Sequence, residues 1–469
     1  MSEELTWLPA WRIAALVASR EVSPVEVTRH FLDRIAKLDP TLHVFANVDA
    51  EGALEQARRA EEQVAGGGPI GPLHGVPFAV MDMVKAKGMR SAPWKTDSVG
   101  RDSIPVERLR KAGAILLGTV ATYFFEPGER PRNPWDTSRE PGNSSRGSGS
   151  AVAAGMVPFS LGQDSGGSTR LPAAWNGVLG LHPTRGLIPY VDYDKASLML
   201  IMSVGPLARD VRDCAIVTQV LAGPDGRDLN AIQDDPPNYL SNLEDGVAGL
   251  RFAWTDDFGW SSAVALDETP KVNATARTAA YNLRSLGAEV TITGEEWEPS
   301  WDALITLIAA FEPVNNAHLV KPSEFVELQA KLEKARGLDL EPPVPVPDLA
   351  APSSEEYEAA TALRDRVWQT TMRVLRENDI LLSPTTPILP KTLDEWGLLG
   401  GGLVPTYGAH TGLFNLLGFP ALTVPCGFVD GLPVGLQMIT RPGREDLLFR
   451  AAKSYLDAFP QVTRPAVAV

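Results

Sequence analysis

The sequence PGNSSRGSGSAVAAGMVPFSLGQDSGGSTRLPAAWNGVLGLHPTRG, residues Pro141 to Gly186, decides the fold of this chain. Two loops rich in glycine and serine flank a segment of small and apolar residues within it, SAVAAGMVPFSLG. A flexible linker would not contain such an apolar run, because linkers are polar and low in complexity. We therefore interpret this stretch as a helix and a buried strand held between two structured loops.

Helical and strand-like segments alternate on both sides of this stretch. Apolar residues at three- and four-residue steps predict N-terminal helices, with Ser23 as a cap and Pro24 as a first helical residue, and a further helix over residues 50–64. Short runs such as Val76–Val80 and Val157–Leu161, bounded by glycine and proline, are typical of buried strands. Similar runs return near the C-terminal end. We therefore predict one α/β domain with a central mixed, twisted sheet and helices on both faces.

We divide this single domain, residues 1–469, into four regions. Residues 1–65 are predicted to form N-terminal helices, and residues 66–225 form the core that contains the glycine- and serine-rich loops. Residues 300–378 form a helical excursion at the surface, and residues 379–469 return to the core.

Composition restricts the classes of function. The 469 residues hold 43 Lys+Arg against 58 Asp+Glu, and the net charge of -15 without any basic run argues against a nucleic-acid partner. The apolar runs are shorter than the ~20 residues that span a bilayer, so we expect no membrane helix. The acidic start lacks a signal peptide, and Cys214 and Cys426 form no C-x-x-C motif. We expect a cytoplasmic protein.

The turn from Gln163 to Ser168 predicts a catalytic loop. Its glycines let successive backbone N–H groups converge on one point, as in an oxyanion hole, and they place Ser168 as a nucleophile. A serine hydroxyl needs a partner that accepts its proton. The six histidines lie in no recognisable triad motif, and neither G-x-S-x-G nor a phosphate-binding P-loop occurs.

The chain resembles the amidase signature family. The resemblance rests on PGNSS and GQDSGGSTR, which are separated by AVAAGMVP, and it extends to PLHGVPFAV, DILLSPTTPILP and FNLLGFPALTVPCGFVDGLPVGLQMITRP. It implies a Ser–cis-Ser–Lys triad that cleaves amide bonds without metal or cofactor. Ser168 would be the acylated nucleophile and Ser144, 24 residues earlier, the bridging serine on a cis peptide. The amides of Ser165, Gly166, Gly167 and Ser168 would form the oxyanion hole.

Further roles follow from the same resemblance. Ser145 is expected to support Ser144 by hydrogen bonding, and Asp164 and Arg170 to brace the catalytic loop. The helical excursion would cover the substrate pocket. The predicted pocket residues are Asn143, Arg146, Trp175 and Phe125.

One position departs from the family pattern. The family's general base is the lysine of a K-D-N-like triplet, which here reads Met81-Asp82-Met83. A thioether cannot accept a proton from serine at neutral pH. The methionine has two alternative origins, a deliberate replacement of lysine and natural divergence. Divergence is favoured by further departures from the family pattern: Met83, Asn143, Arg146, Asn176 and His182.

These residues predict a serine hydrolase that cleaves a small carboxamide or related acyl compound through an acyl-enzyme on Ser168, impaired because Met81 replaces the base. The alternatives are an acyltransferase or cyclase acting on an activated acyl group, and a homologue that binds a ligand without turnover. We expect a small-molecule substrate and no metal, cofactor, nucleic acid or membrane. The sequence does not distinguish a monomer from a homodimer.

Overall fold

The fold is described by a computed structural model that covers residues 2–89, 91, 99–122, 130–191, 201–260, 266–315, 351–395 and 408–468. One mixed sheet of eleven strands in the described residues forms its centre, with helices packed against it. The predicted α/β class and single domain are confirmed. The predicted pocket residue Phe125 lies outside the described residues.

The sheet combines strands from both ends of the chain. In spatial order the strands are β1, β3, β2, β4, β6, β5, β10, β11, β9, β7 and β8. Their bounds are β1 Phe45–Val48, β2 Pro77–Met81, β3 Ile115–Val120, β4 Phe159–Asp164, β5 Leu179–His182, β6 Ser203–Ala208, β7 Arg251–Trp254, β8 Glu289–Ile292, β9 Ile380–Pro384, β10 Ala421–Val429 and β11 Leu432–Ile439.

The helices precede, connect and cover these strands. They are α1 Ser2–Trp7, α2 Ala10–Ala18, α3 Pro24–Leu42, α4 Ala50–Ala65, α5 Ile104–Lys111, α6 Arg146–Ala153, α7 Arg170–Asn176, α8 Val211–Leu221, α9 Thr269–Asn282, α10 Trp301–Asn315, α11 Ser354–Glu377, α12 Ala409–Leu417 and α13 Glu445–Ala458. No helix within the described part of the chain is long and apolar enough to cross a membrane.

The predicted start of α3 is confirmed in detail. The Ser23 hydroxyl accepts hydrogen bonds from the amides of Val25 and Glu26, and the Glu26 carboxylate accepts one from the Ser23 amide. Pro24 occupies the first helical position, where its missing N–H has no intrahelical partner to lose. The capped serine and the proline therefore fix where the helix begins.

The sheet brings two segments of the predicted site to one edge. β2 pairs in parallel with both β3 and β4, and every residue of these three strands is buried. Because parallel strands end at the same edge, Met81 at the end of β2 and Asp164 at the end of β4 lie on the same side of the molecule. The serine loops lie next to this edge, since α6 begins at Arg146 and α7 at Arg170.

Because β6 packs closely against β5, we predict that Gly205 cannot be replaced by a larger residue without loss of stability. A Cβ added at Gly205 would lie 1.9 Å from the carbonyl oxygen of Leu181, a backbone atom that cannot move aside. Gly205→Ala should therefore lower the free energy of unfolding by about 3 kcal/mol or more in urea titrations. Gly226→Ala is the control, because nothing lies within 4 Å of the added atom. Equal stabilities of the two variants would contradict this account of the sheet.

Candidate active site

The two serine loops are joined through their backbones. The Asn143–Ser144 peptide bond is cis. The amide of Ser145 donates to the carbonyl oxygen of Ser168 at 3.2 Å, and the amide of Arg146 donates to the carbonyl oxygen of Ser144 at 2.8 Å. Ser144 and Ser168 are half-buried, whereas Ser145 is fully buried. The structure thus brings the two predicted catalytic serines to neighbouring, accessible loops.

A buried ion pair braces the loop that carries Ser168. Arg170 Nε donates to Asp164 Oδ2 at 3.0 Å, and neither side chain has any exposed surface. The same carboxylate accepts hydrogen bonds from the amides of Gly167 at 2.6 Å and Thr169 at 3.2 Å. Burial alone would raise the pKa of Asp164, but the charge and hydrogen bonds of Arg170, together with a hydrogen bond from Asn415, hold that pKa well below its ordinary value.

Two residues from the C-terminal region complete this brace, and the sequence analysis missed both. Asn415 on α12 accepts from Arg170 Nη2 at 2.6 Å and donates to the carbonyl oxygen of Asp164 at 2.9 Å. Gln437 on β11 accepts from Arg170 Nη1 at 2.8 Å. A single polar side chain within each of the apolar runs FNLLG and GLQMI was the available signal, because buried polar groups require partners.

The amides predicted for the oxyanion hole differ in their availability. The Gly167 amide is engaged by Asp164, whereas the amides of Ser165, Gly166 and Ser168 donate to no acceptor among the described residues. These last three residues are half-buried. Thr411 Oγ1 donates to the carbonyl oxygen of Gly166 at 2.8 Å and fixes the orientation of that peptide. Three amides, rather than four, therefore remain for an oxyanion.

Met81 lies beside the serine loop and is 1% exposed. Its Sδ accepts a hydrogen bond from Ser145 Oγ at 3.3 Å, and the same hydroxyl lies 3.2 Å from the carbonyl oxygen of Gln163. Ser145 was expected to support Ser144 through a hydrogen bond, but its hydroxyl is directed at Met81 and Gln163 instead. The side chain at position 81 is thus within hydrogen-bonding reach of the serine pair, although a thioether is only a weak acceptor.

Asp82, which directly follows Met81 in the sequence, has a buried carboxyl group. The Asp82 carboxyl is fully buried, and it accepts hydrogen bonds from the hydroxyl and the amide of Thr122. Burial raises its pKa to about 7, in spite of these hydrogen bonds and the nearby Arg146 guanidinium. Arg146 donates to the carbonyl oxygen of Thr122 at 2.6 Å and forms an ion pair with buried Glu140. Arg146, predicted as a pocket residue, is therefore engaged in a buried network.

The remaining pocket predictions fall into different environments. Trp175 is 1% exposed, packs with Leu171 and Ile388, and donates its indole N–H to the Ile388 carbonyl oxygen at 3.0 Å. Trp175 is therefore a core residue and not the pocket residue that the sequence predicts. Asn143 is half-buried at the cis bond, and its Oδ1 has no hydrogen-bond partner in the described part of the chain.

Two of the buried histidines, His182 and His410, make poor proton acceptors. Burial and the nearby Arg170 lower the pKa of His182 to about 3, and burial lowers the pKa of His410 to about 4. Each ring contacts a backbone carbonyl oxygen through Nδ1, that of Phe419 for His182 and that of Pro384 for His410. The described ranges contain no cluster of three or more His, Cys, Asp or Glu residues that could hold a metal ion.

Comparisons with known proteins identify the family of this chain. The family profile described as Amidase matches residues 26–449. The chain is 33% identical to a glutamyl-tRNA(Gln) amidotransferase subunit from Roseiflexus castenholzii, over 94% of this chain and 93% of that one. It is 30% identical to an acylamidase from Rhodococcus erythropolis, over 97% of this chain and 96% of that one.

The structural comparison gives the same result. The crystal structure of a bacterial aryl acylamidase of the amidase signature family superposes with a TM-score of 0.82 and 26% sequence identity, and the match covers 98% of each chain. Sequence profile, relatives and fold therefore agree over nearly the whole length, and the chain belongs to the amidase signature family.

Proposed function

We propose that this protein is a serine hydrolase that cleaves small carboxamides or related acyl compounds through an acyl-enzyme on Ser168. The observation that carries the proposal is the joining of the Ser144 and Ser168 loops beside three backbone amides that have no acceptor among the described residues. The membership of this chain in the amidase signature family supports the same reaction class. The acylamidase relatives favour an acyl amide as substrate.

The reaction would proceed in two displacements. Ser168 Oγ attacks the carbonyl carbon and gives its proton to Ser144 Oγ, while the proton that Ser144 held moves towards the amide nitrogen of the substrate. The amides of Ser165, Gly166 and Ser168 stabilise the resulting oxyanion. Collapse of the tetrahedral intermediate breaks the C–N bond, and the leaving amine takes up a proton through Ser144. Water then attacks the acyl-enzyme, releases the acid and returns the proton to Ser168.

The weak point of this relay is position 81. The resemblance puts the family's general-base lysine there, and a correctly placed general base contributes ~10²–10⁴ to the rate. With a thioether in its place, Ser144 has no strong acceptor to which it can pass the proton. We therefore expect slow amide hydrolysis by the chain as it stands.

Met81 also favours a second candidate function. An activated acyl group, such as a thioester or an acyl phosphate, has a better leaving group than an amide and needs less help from a base. The chain would then transfer the acyl group from Ser168 to an amine. An N-acyl product that appears only when an amine is added would distinguish this transferase from a hydrolase, and a ligand-binding homologue would form neither product.

The surroundings of position 81 can hold a lysine. Methionine and lysine are both unbranched, so a lysine can follow the course of Met81 as far as Cε, and its Nζ would lie one bond beyond that atom. A lysine that bends at Cδ would bring Nζ to the Ser145 hydroxyl, which now donates to the Met81 Sδ. That hydroxyl can donate to a neutral amine or accept from an ammonium group. The site thus provides a partner for each state of the lysine.

Restoring the base should increase amide hydrolysis. Met81→Lys is expected to raise kcat/KM for simple aryl and alkyl amides at least 100-fold, because the proton of Ser144 regains an acceptor. Release of the amine measures the rate. Met81→Leu keeps the size without a base and should stay at the level of the parent, and adding Ser168→Ala to Met81→Lys should abolish the gain. Unchanged hydrolysis by a folded Met81→Lys variant would refute the proposed relay.

The raised pKa of Asp82 predicts a pH-dependent stability. Between about pH 4 and pH 7 the unfolded chain has lost the Asp82 proton while the folded chain retains it, so stability falls as pH rises. The free energy of unfolding of Asp82→Asn, relative to the parent, should therefore increase by about 2 kcal/mol from pH 5 to pH 8. Urea titrations at the two pH values provide the measurement.

Asp225→Asn is the control for this comparison. A hydrogen bond from Arg227 lowers the pKa of Asp225 to about 2, so its contribution to stability is lost only well below pH 5. The difference between this variant and the parent should be the same at pH 5 and pH 8. A pH-independent effect of Asp82→Asn would show that Asp82 is already ionised at pH 5.

A further inference from the structure

An aromatic side chain lies directly against the catalytic loop. Trp301, the first residue of α10, is half-buried. A Cβ added at Gly166 would lie 3.5 Å from Cη2 of its indole ring, and one added at Gly412 would lie 2.7 Å from Cζ3. The ring therefore faces the catalytic loop across the place where a side chain at Gly166 would lie, and it occupies space that the missing side chain of Gly412 leaves open.

The indole is firmly supported on its apolar side. Leu304, one helical turn further along α10, is 1% exposed, and its Cδ2 would lie 3.1 Å from the same Cβ at Gly412. Trp301 packs against the apolar cluster that contains Leu304, Leu307 and Leu413. A ring fixed in this way offers a preformed surface and loses little side-chain freedom when a ligand binds.

The position of the ring opposite Gly166 relates it to the substrate. The Gly166 amide is one of the three proposed to hold the oxyanion, so the substrate carbonyl would lie at this peptide. The acyl substituent is bonded to that same carbonyl carbon, and only a few ångströms separate it from the oxygen. A planar acyl group in this position can contact the indole, and aromatic groups pack favourably on such a ring.

We propose that Trp301 determines the acyl specificity of this site and selects carboxamides of aromatic acids. This inference rests on the proposed function, because it uses the oxyanion position to place the acyl group. Gly166 and Gly412 contribute by leaving room for the ring. The chain then binds an aromatic amide such as benzamide in preference to an aliphatic amide such as acetamide.

Ligand-observed NMR titrations of the unmodified chain with benzamide and acetamide test this preference without requiring turnover. Benzamide should bind at least tenfold more tightly than acetamide. Trp301→Ala should remove most of that difference, and Trp301→Phe should retain most of it. Trp368→Ala, which removes a 42% exposed tryptophan on α11, is the matched control and should bind both amides as the parent does.

The possible outcomes separate the inference from the proposed function. Equal binding of the two amides by the parent, or an equal loss of both in Trp301→Ala, would overturn the role of Trp301 in specificity. The binding preference together with an inactive Met81→Lys variant would leave the aromatic site in place and refute the hydrolase. Hydrolysis of benzamide and acetamide by Met81→Lys with equal kcat/KM would support the hydrolase and overturn the role of Trp301 in specificity.

Discussion

The buried ion pair between Asp164 and Arg170 is the interaction on which the site depends. Burying two charges away from solvent costs free energy unless each charge has hydrogen-bond partners. Here Asp164 and Arg170 both have several such partners. Asp164 engages the amide of Gly167, while Arg170 reaches Asn415 and Gln437 at the other end of the chain. Removing either charge would leave the other buried and unpaired, so the loop conformation is strongly determined. The pair converts a flexible glycine turn into a fixed arrangement of amides.

The opposite side of the site has a different character. At the end of β2 the base expected from the family resemblance is replaced by Met81, and the Asp82 carboxyl behind it is buried with a raised pKa. Arg146, at a position where the family resemblance implies glycine, carries the buried positive charge next to Thr122 and Glu140. The proposed nucleophile and the proposed oxyanion amides are thus held in place, while the group that the resemblance implies for removing the proton is replaced. A site with a positioned nucleophile but without a strong base favours acylation by reactive compounds over the cleavage of stable amides.

Much of this arrangement could be predicted from the sequence, because it depends on local patterns. The cap at Ser23 and the buried runs follow from spacing and composition, and the predicted serine loops follow from the family resemblance. The parts that could not be predicted depend on contacts between distant residues. Asn415 and Gln437 approach Arg170 only because β10 and β11 lie in the middle of the sheet. Trp301 faces Gly166 only because α10 packs on α12.

Intact-protein mass spectrometry after reaction with p-nitrophenyl acetate tests the central claim most directly. The ester acylates serine with little need for a base, so the unmodified chain should accumulate one acetyl group, mapped to Ser168, that is released slowly because water lacks a base. Ser168→Ala should remain unlabelled. Absence of the adduct, or an equal adduct in Ser168→Ala, would contradict the claim that nucleophile and oxyanion hole are assembled.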